Sequence, residues 1–109
     1  MTAESTKYTC PDCGGAIERV KDGNIVQYRC RVGHLYSPEA ALAIHADREE
    51  NTLWTAVVVL EEGADLAEEV SQLPTGEHRT ELRETAMAKR ELAKQVRRTV
   101  TELARRSVE

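Results

Sequence analysis

The 109-residue sequence predicts a small α+β protein: a short β segment over residues 1–36, then a long antiparallel α-helical hairpin over residues 37–109. Three observations carry that reading. Cys10, Cys13, Cys30 and His34 all fall in the first third of the chain. From residue 38 onward, apolar residues recur at alternating intervals of four and three, the coiled-coil-like spacing of an amphipathic helix. A Pro74-Thr75-Gly76 break then divides that pattern in two.

The β segment is marked by its turns. Gly14-Gly15 and Asp22-Gly23-Asn24 bracket residues 16–20, and residues 25–29 (Ile-Val-Gln-Tyr-Arg) follow as a second run of β-formers. The two runs make a hairpin. A two-stranded hairpin is marginal in water, so something further must hold it.

The first helix is expected over residues 38–73. Ser37 can cap it, Pro38 suits the first helical position, and Glu39 favours the positive end of the helix dipole. Its apolar stripe runs through Leu42, Ala46, Glu49, Leu53, Ala56, Leu60, Gly63, Ala67 and Val70. Gly63 costs about 1 kcal/mol relative to Ala in a helix interior, and marks either a close approach or a kink. The second helix is expected over residues 77–106, with Leu82, Ala86, Lys89, Ala93, Val96, Val100, Leu103 and Ser107 in its stripe. At 1.5 Å per residue the two helices are about 54 and about 45 Å long.

Charge follows the same division. Residues 1–37 carry five basic and four acidic side chains, residues 38–74 one basic and nine acidic, and residues 75–109 nine basic and six acidic. The net charge of −4 therefore conceals an acidic helix and a basic helix. Laid side by side they attract, although single surface pairs contribute only about 0–1 kcal/mol. No run of 18 apolar residues exists, which excludes a membrane-spanning helix. The first residues lack an apolar signal core, so the expected location is cytoplasmic.

The chemistry lies in Cys10-Pro-Asp-Cys13-Gly-Gly and Cys30-Arg-Val-Gly-His34, with sixteen residues between Cys13 and Cys30. Three cysteines cannot all pair within one chain, and their number is wrong for a secreted disulfide scaffold. Thiolate sulfur and imidazole nitrogen suit zinc, which takes four tetrahedral ligands in structural sites. Each ligand turn has a glycine, Gly14 or Gly33, where the chain must curl back. The hairpin between them brings the turns together as a Cys3His zinc ribbon, with one structural Zn2+ held by Cys10, Cys13, Cys30 and His34. A thioredoxin-like redox reading lacks its βαβ context. His45 competes with His34 only from inside the expected helix, and His78 reads as a solvated residue beside the inter-helix turn. With four good ligands the site is closed, and Asp12 reads as a solvated turn residue rather than a water-activating base.

These residues resemble a known module. The stretch CPDCGGAIERVKDGNIVQYRCRVGHLYSPEAALA is similar to the zinc-ribbon tail that follows the catalytic domain in a subset of bacterial chemotaxis protein-glutamate methylesterases of the CheB type. The elements carrying the resemblance are residues 10–15, Asp22-Gly23, residues 29–34, Tyr36-Ser37 and Leu53-Trp54, and the similarity spans about residues 8–70. It implies a ribbon followed by a long helix, and a chemotaxis-related accessory module. It does not imply the esterase. A catalytic domain does not fit in 109 residues, and Ser5, Ser37, Ser71 and Ser107 have no nucleophile elbow around them.

The expected function is a non-enzymatic structural or regulatory module that binds a protein partner or pairs with itself as a homodimer through its helices. Two helices alone leave part of each apolar stripe uncovered. Val57, Val58 and Val59 beside Leu60 and Trp54 widen that surface, unless Trp54 covers the back of the ribbon. The alternative is a nucleic-acid-binding zinc ribbon using Arg97-Arg98 and Arg105-Arg106. Aromatic interleaving is missing, and the acidic helix would repel phosphate, so nucleic acid is the weaker reading.

Overall fold

The structure is a computed structural model describing residues 1–74 and 77–108, with side chains described as far as residue 106. Along the chain lie β1 (Thr2–Thr9), β2 (Ala16–Asp22), β3 (Ile25–Cys30), β4 (Leu35–Tyr36), α1 (Pro38–Ser71) and α2 (Arg79–Val108). The expected α+β class is what forms. The strands make one antiparallel sheet in the order β1-β2-β3-β4. Backbone contacts divide the chain after Arg48 into two compact units.

In the first unit, the expected hairpin is β2–β3. Its pairing runs unbroken from Ile17 opposite Cys30 to Asp22 opposite Ile25, and Gly23 turns it at a φ of 62°. Only two residues close this loop, and a positive φ there suits a glycine. Arg19 lies opposite Tyr28, with its guanidinium 5.9 Å from the ring centroid.

Two further strands flank the hairpin. β1 pairs with β2 from Thr2 opposite Lys21 to Thr9 opposite Ala16, with a register irregularity between Ser5 and Thr9. At that irregularity Thr6 Oγ1 donates to the Ile17 carbonyl at 2.6 Å and accepts from the Tyr8 amide at 3.1 Å. Glu4 lies within 3.8 Å of Arg19 and 3.7 Å of Lys21 across the strands. β4 adds Leu35 and Tyr36 opposite Arg29 and Tyr28. The buried cluster is small: Cys10, Ile17, Cys30 and Tyr36, with Tyr28 and Ala41 packed against it. Two of its four members are cysteines, so what those sulfurs do decides whether this unit is stable.

α1 begins as its sequence indicates, with the Ala40 amide donating to Ser37 Oγ at 3.1 Å. It ends at Ser71, two residues before the expected limit. The Gln72 and Leu73 amides reach back only three residues, to Glu69 and Val70, and the proline at 74 disfavours helix at Leu73. Arg79 Nη2 donates to the Leu73 carbonyl at 3.3 Å, satisfying a C-terminal acceptor. α2 starts at Arg79 rather than 77 because His78 takes a φ of 60°. Its carbonyl still accepts from the Leu82 amide at 2.9 Å. Thr75 and Gly76 of the expected break, and the Ser107 side chain, lie outside the described residues.

From residue 49 onward, α1 and α2 pack against each other. The deepest α2 residues are Ala86, Ala93 and Val100, seven apart, with Leu82, Lys89, Val96 and Leu103 half-buried between them. That is the expected stripe. On α1 the deepest are Val57, Ala64 and Ser71, again seven apart, alternating with Leu53, Leu60 and Ala67. The expected Ala56, Gly63 and Val70 are one residue out of phase with this line; Val70 is 37 % exposed while Ser71 is fully buried. The charges meet as expected. Arg90 bonds Glu68 and lies 3.0 Å from Asp65, and Arg97 lies 2.6 Å from Glu61. Partner numbers fall on one helix as they rise on the other, the mark of antiparallel packing. Arg97 also sits 5.7 Å from the Trp54 ring centroid. Beside Gly63 lies the end of the Lys89 side chain: a Cβ there would meet Lys89 Nζ at 3.3 Å.

Candidate metal centre

Two turns of similar construction carry the four donors. In the first, the Cys10 amide donates to the Gly15 carbonyl at 2.7 Å and the Gly14 amide to the Cys10 carbonyl at 2.8 Å. In the second, the Cys30 amide donates to the His34 carbonyl at 3.0 Å and the Gly33 amide to the Cys30 carbonyl at 3.1 Å. Gly14 (φ 73°) and Gly33 (φ 100°) take the backbone conformations that let each turn close. The first turn joins β1 to β2 and the second joins β3 to β4. The β2–β3 hairpin fixes their separation, because Ile17 pairs with Cys30 and Ala16 with Thr9.

The donor atoms of Cys10, Cys13, Cys30 and His34 all lie within 4.8 Å of one another. Cys13 Sγ is 3.8 Å from Cys30 Sγ; His34 Nδ1 is 3.6 Å from Cys10 Sγ and 3.2 Å from Cys30 Sγ. A tetrahedral ion with metal–sulfur bonds of about 2.3 Å and metal–nitrogen bonds of about 2.0–2.1 Å has S···S edges of about 3.8 Å and S···N edges of about 3.6 Å. The Cys13–Cys30 and Cys10–His34 separations match those edges and Cys30–His34 is shorter; the donor set fits a metal ion. All four residues singled out from the sequence meet here. His45 and His78 are not members of the cluster.

The electrostatics favour anionic sulfur at two positions. Burial pushes the Cys10 thiol up, but the Tyr36 hydroxyl and the Cys13 and Asp12 amides outweigh it, leaving Cys10 at about 6. Burial also opposes the Cys30 thiolate and is again outweighed, by the His34 and Val32 amides and the His34 ring. Cys13 goes the other way. The Gly15 amide favours its thiolate, but burial and the neighbouring Cys10 and Cys30 sulfurs raise it above the ordinary thiol value. His34 is raised chiefly by its bond to Cys30.

One participant was missed at the sequence level. Tyr36 is buried; its hydroxyl donates to the Asp12 carboxylate and stands 3.3 Å from Cys10 Sγ. Asp12 is therefore the acceptor of a hydrogen bond that crosses from the first ligand turn to β4, not merely a solvated turn residue. The available signal was that Tyr36 follows His34 by two positions, which in a strand returns the side chain to the same face.

Protein-family models, curated proteins and solved structures contain no match to this chain. Among the described residues, no helix is long and apolar enough to cross a membrane.

Proposed function

We propose that Cys10, Cys13, Cys30 and His34 hold one zinc ion as a closed structural site, and that the chain is a non-catalytic protein-interaction module. The observation that carries the first part is the convergence of three sulfurs and one imidazole nitrogen to within 4.8 Å of one another, two of the separations falling on the edges of a tetrahedral Cys3His site. Four protein donors fill a tetrahedral ion, whereas catalytic zinc keeps a place for water. The small buried cluster around the two cysteines supports a folding role, since metal binding can itself supply folding free energy. Three reduced thiols suit a reducing compartment, in keeping with a cytoplasmic location.

The resemblance of residues 8–70 to the methylesterase-associated ribbon tail belongs to the same reading, with a chemotaxis-related role as its proposed setting. The nucleic-acid alternative is weakened by ion pairing: Arg97, Arg98, Arg105 and Arg106 each lie within 4.0 Å of a glutamate.

Elemental analysis of the purified chain and of a Cys30→Ala variant tests the site. One zinc per chain is expected, with a large loss in the variant; equal zinc in both overturns the assignment. Incubation with a methyl-glutamyl peptide should release no methanol above the blank, and turnover would overturn the non-catalytic reading.

A further inference from the structure

We propose that two copies of this chain pair through the apolar flank of the helical hairpin opposite its Arg90 and Arg97 ion pairs, forming a four-helix bundle in which each α1 lies on the α2 of the other copy. The proposal rests on the interaction-module reading and names its partner.

α1 carries two adjacent seams of the same spacing. The first, described above, packs on α2. The second is Thr52, Ala56, Val59, Gly63, Leu66 and Val70, alternating by four and three and without a charge over nineteen residues. Val59 is 58 % exposed and Leu66 is 60 % exposed, far more than apolar residues at seam positions normally are when covered.

The two flanks of the hairpin differ. At 100° per residue, Glu61, Asp65 and Glu68 lie on one flank of the packed α1 seam, and Val59, Gly63, Leu66 and Val70 on the other. The cross-helix ion pairs of Arg90 and Arg97 occupy the first flank. On α2 the opposite flank carries the exposed Leu92, with Val96 and Leu103 at the adjoining edge of the packed stripe. Because the helices are antiparallel, these two flanks fall on the same side, and the Lys89 side chain reaches from α2 over Gly63, its Nζ nearest and its Cδ and Cε beside it.

Size and charge select the occupant. A face about 27 Å long and two helices, about 20 Å, wide offers about 540 Å² per copy. Two such faces bury about 1,100 Å², above the ~1,000 Å² a specific interface needs. The spacing of this second seam repeats that of the seam already packed on α2, so a helix of this chain is a matched ligand for it. α1 holds nine acidic residues and one basic, whereas α2 holds nine basic and four acidic. A twofold axis along the bundle sets each acidic α1 over a basic α2; the perpendicular twofold would set acidic on acidic.

Light scattering on the zinc-loaded full chain, up to about 200 µM, reads the outcome. The chain is 12.2 kDa, so a species of about 24 kDa is expected. Leu66→Glu should weaken pairing at least tenfold, and the milder Leu66→Ser should weaken it measurably. Val58→Glu, on the opposite flank at a residue 54 % exposed, should not. A monomer across the whole range, or equal effects of Leu66→Glu and Val58→Glu, overturns the proposal. A monomer overturns self-pairing alone: the interaction-module reading then requires a different protein partner, and one zinc per chain leaves the metal site standing.

Discussion

The Tyr36 hydroxyl stands 3.3 Å from Cys10 Sγ while donating to the Asp12 carboxylate, so one buried phenol links β4 to the first ligand turn. Its own ionisation is pushed up, first by Asp12 and then by Cys10, which keeps it a hydrogen-bond donor at neutral pH. Groups that orient a metal ligand from behind typically change metal affinity by about 10- to 100-fold when removed. Tyr36→Phe is expected to weaken zinc binding within that range while leaving one ion per chain at saturation. Competition with a chromophoric chelator measures it; unchanged affinity would show that the phenol only fills space.

The thiols set how zinc affinity depends on pH. Every thiol must lose its proton to bind, so affinity falls as pH falls. Cys13, raised above the ordinary thiol value, gives up its proton on binding even in mildly alkaline solution. Cys10 sits at about 6, so it is already a thiolate at pH 7 and takes a competing proton only below that value. His34, raised by Cys30, adds another competing proton as pH falls. The expected plot of log affinity against pH is therefore shallow near pH 8 and steepens toward and below about 6. A uniform slope across that range would contradict the ordering of the sulfurs.

How far this was legible in the chain differs by element. The four ligands were, because short turns with glycines bring their donors together locally and the hairpin does the rest. β1 was not: Thr2–Thr9 is polar and mostly exposed, and is held by backbone pairing and Glu4 rather than by an apolar alternation. The phase of α1 was ambiguous for a physical reason. With Val57, Val58 and Val59 in succession, two seams one residue apart are both apolar, and the residues expected at the interface took alternate positions from each. Only the packing of α2 distinguishes Val57 from Ala56. α2 has no second run of comparable strength, so its apolar spacing alone sets its phase.

The start of α2 offers a stabilising change. His78 adopts a φ of 60° and is exposed, with the Glu77 and Glu81 carboxylates 3.9 and 3.5 Å from its ring nitrogens. A left-handed conformation costs a side-chain-bearing residue roughly 1–2 kcal/mol, a cost glycine does not meet. His78→Gly is expected to raise hairpin stability by about 1 kcal/mol after the loss of those exposed contacts. Urea unfolding followed by circular dichroism measures it, and a lower midpoint would show that the glutamate contacts outweigh the backbone.

Neighbouring valines on α1 provide the sharpest check of its phase. Val57 is 1 % exposed and faces α2, whereas Val58 is 54 % exposed. Truncating a fully buried valine removes two methyl groups and leaves a cavity, so Val57→Ala should cost about 2 kcal/mol. Val58→Ala removes the same atoms from solvent and slightly improves helix propensity, so its effect should stay within about 0.5 kcal/mol. Ser71 extends the test. It is fully buried in the Val57 line, and its hydroxyl is bonded to the Glu68 carbonyl of its own helix at 2.5 Å. Ser71→Ala should therefore be neutral or mildly stabilising, because no cross-helix partner is lost. Denaturant midpoints for the three variants decide the matter: the seam through Val57 requires a large loss, no loss and no loss, in that order. A larger loss at Val58 than at Val57 would shift the interface by one residue.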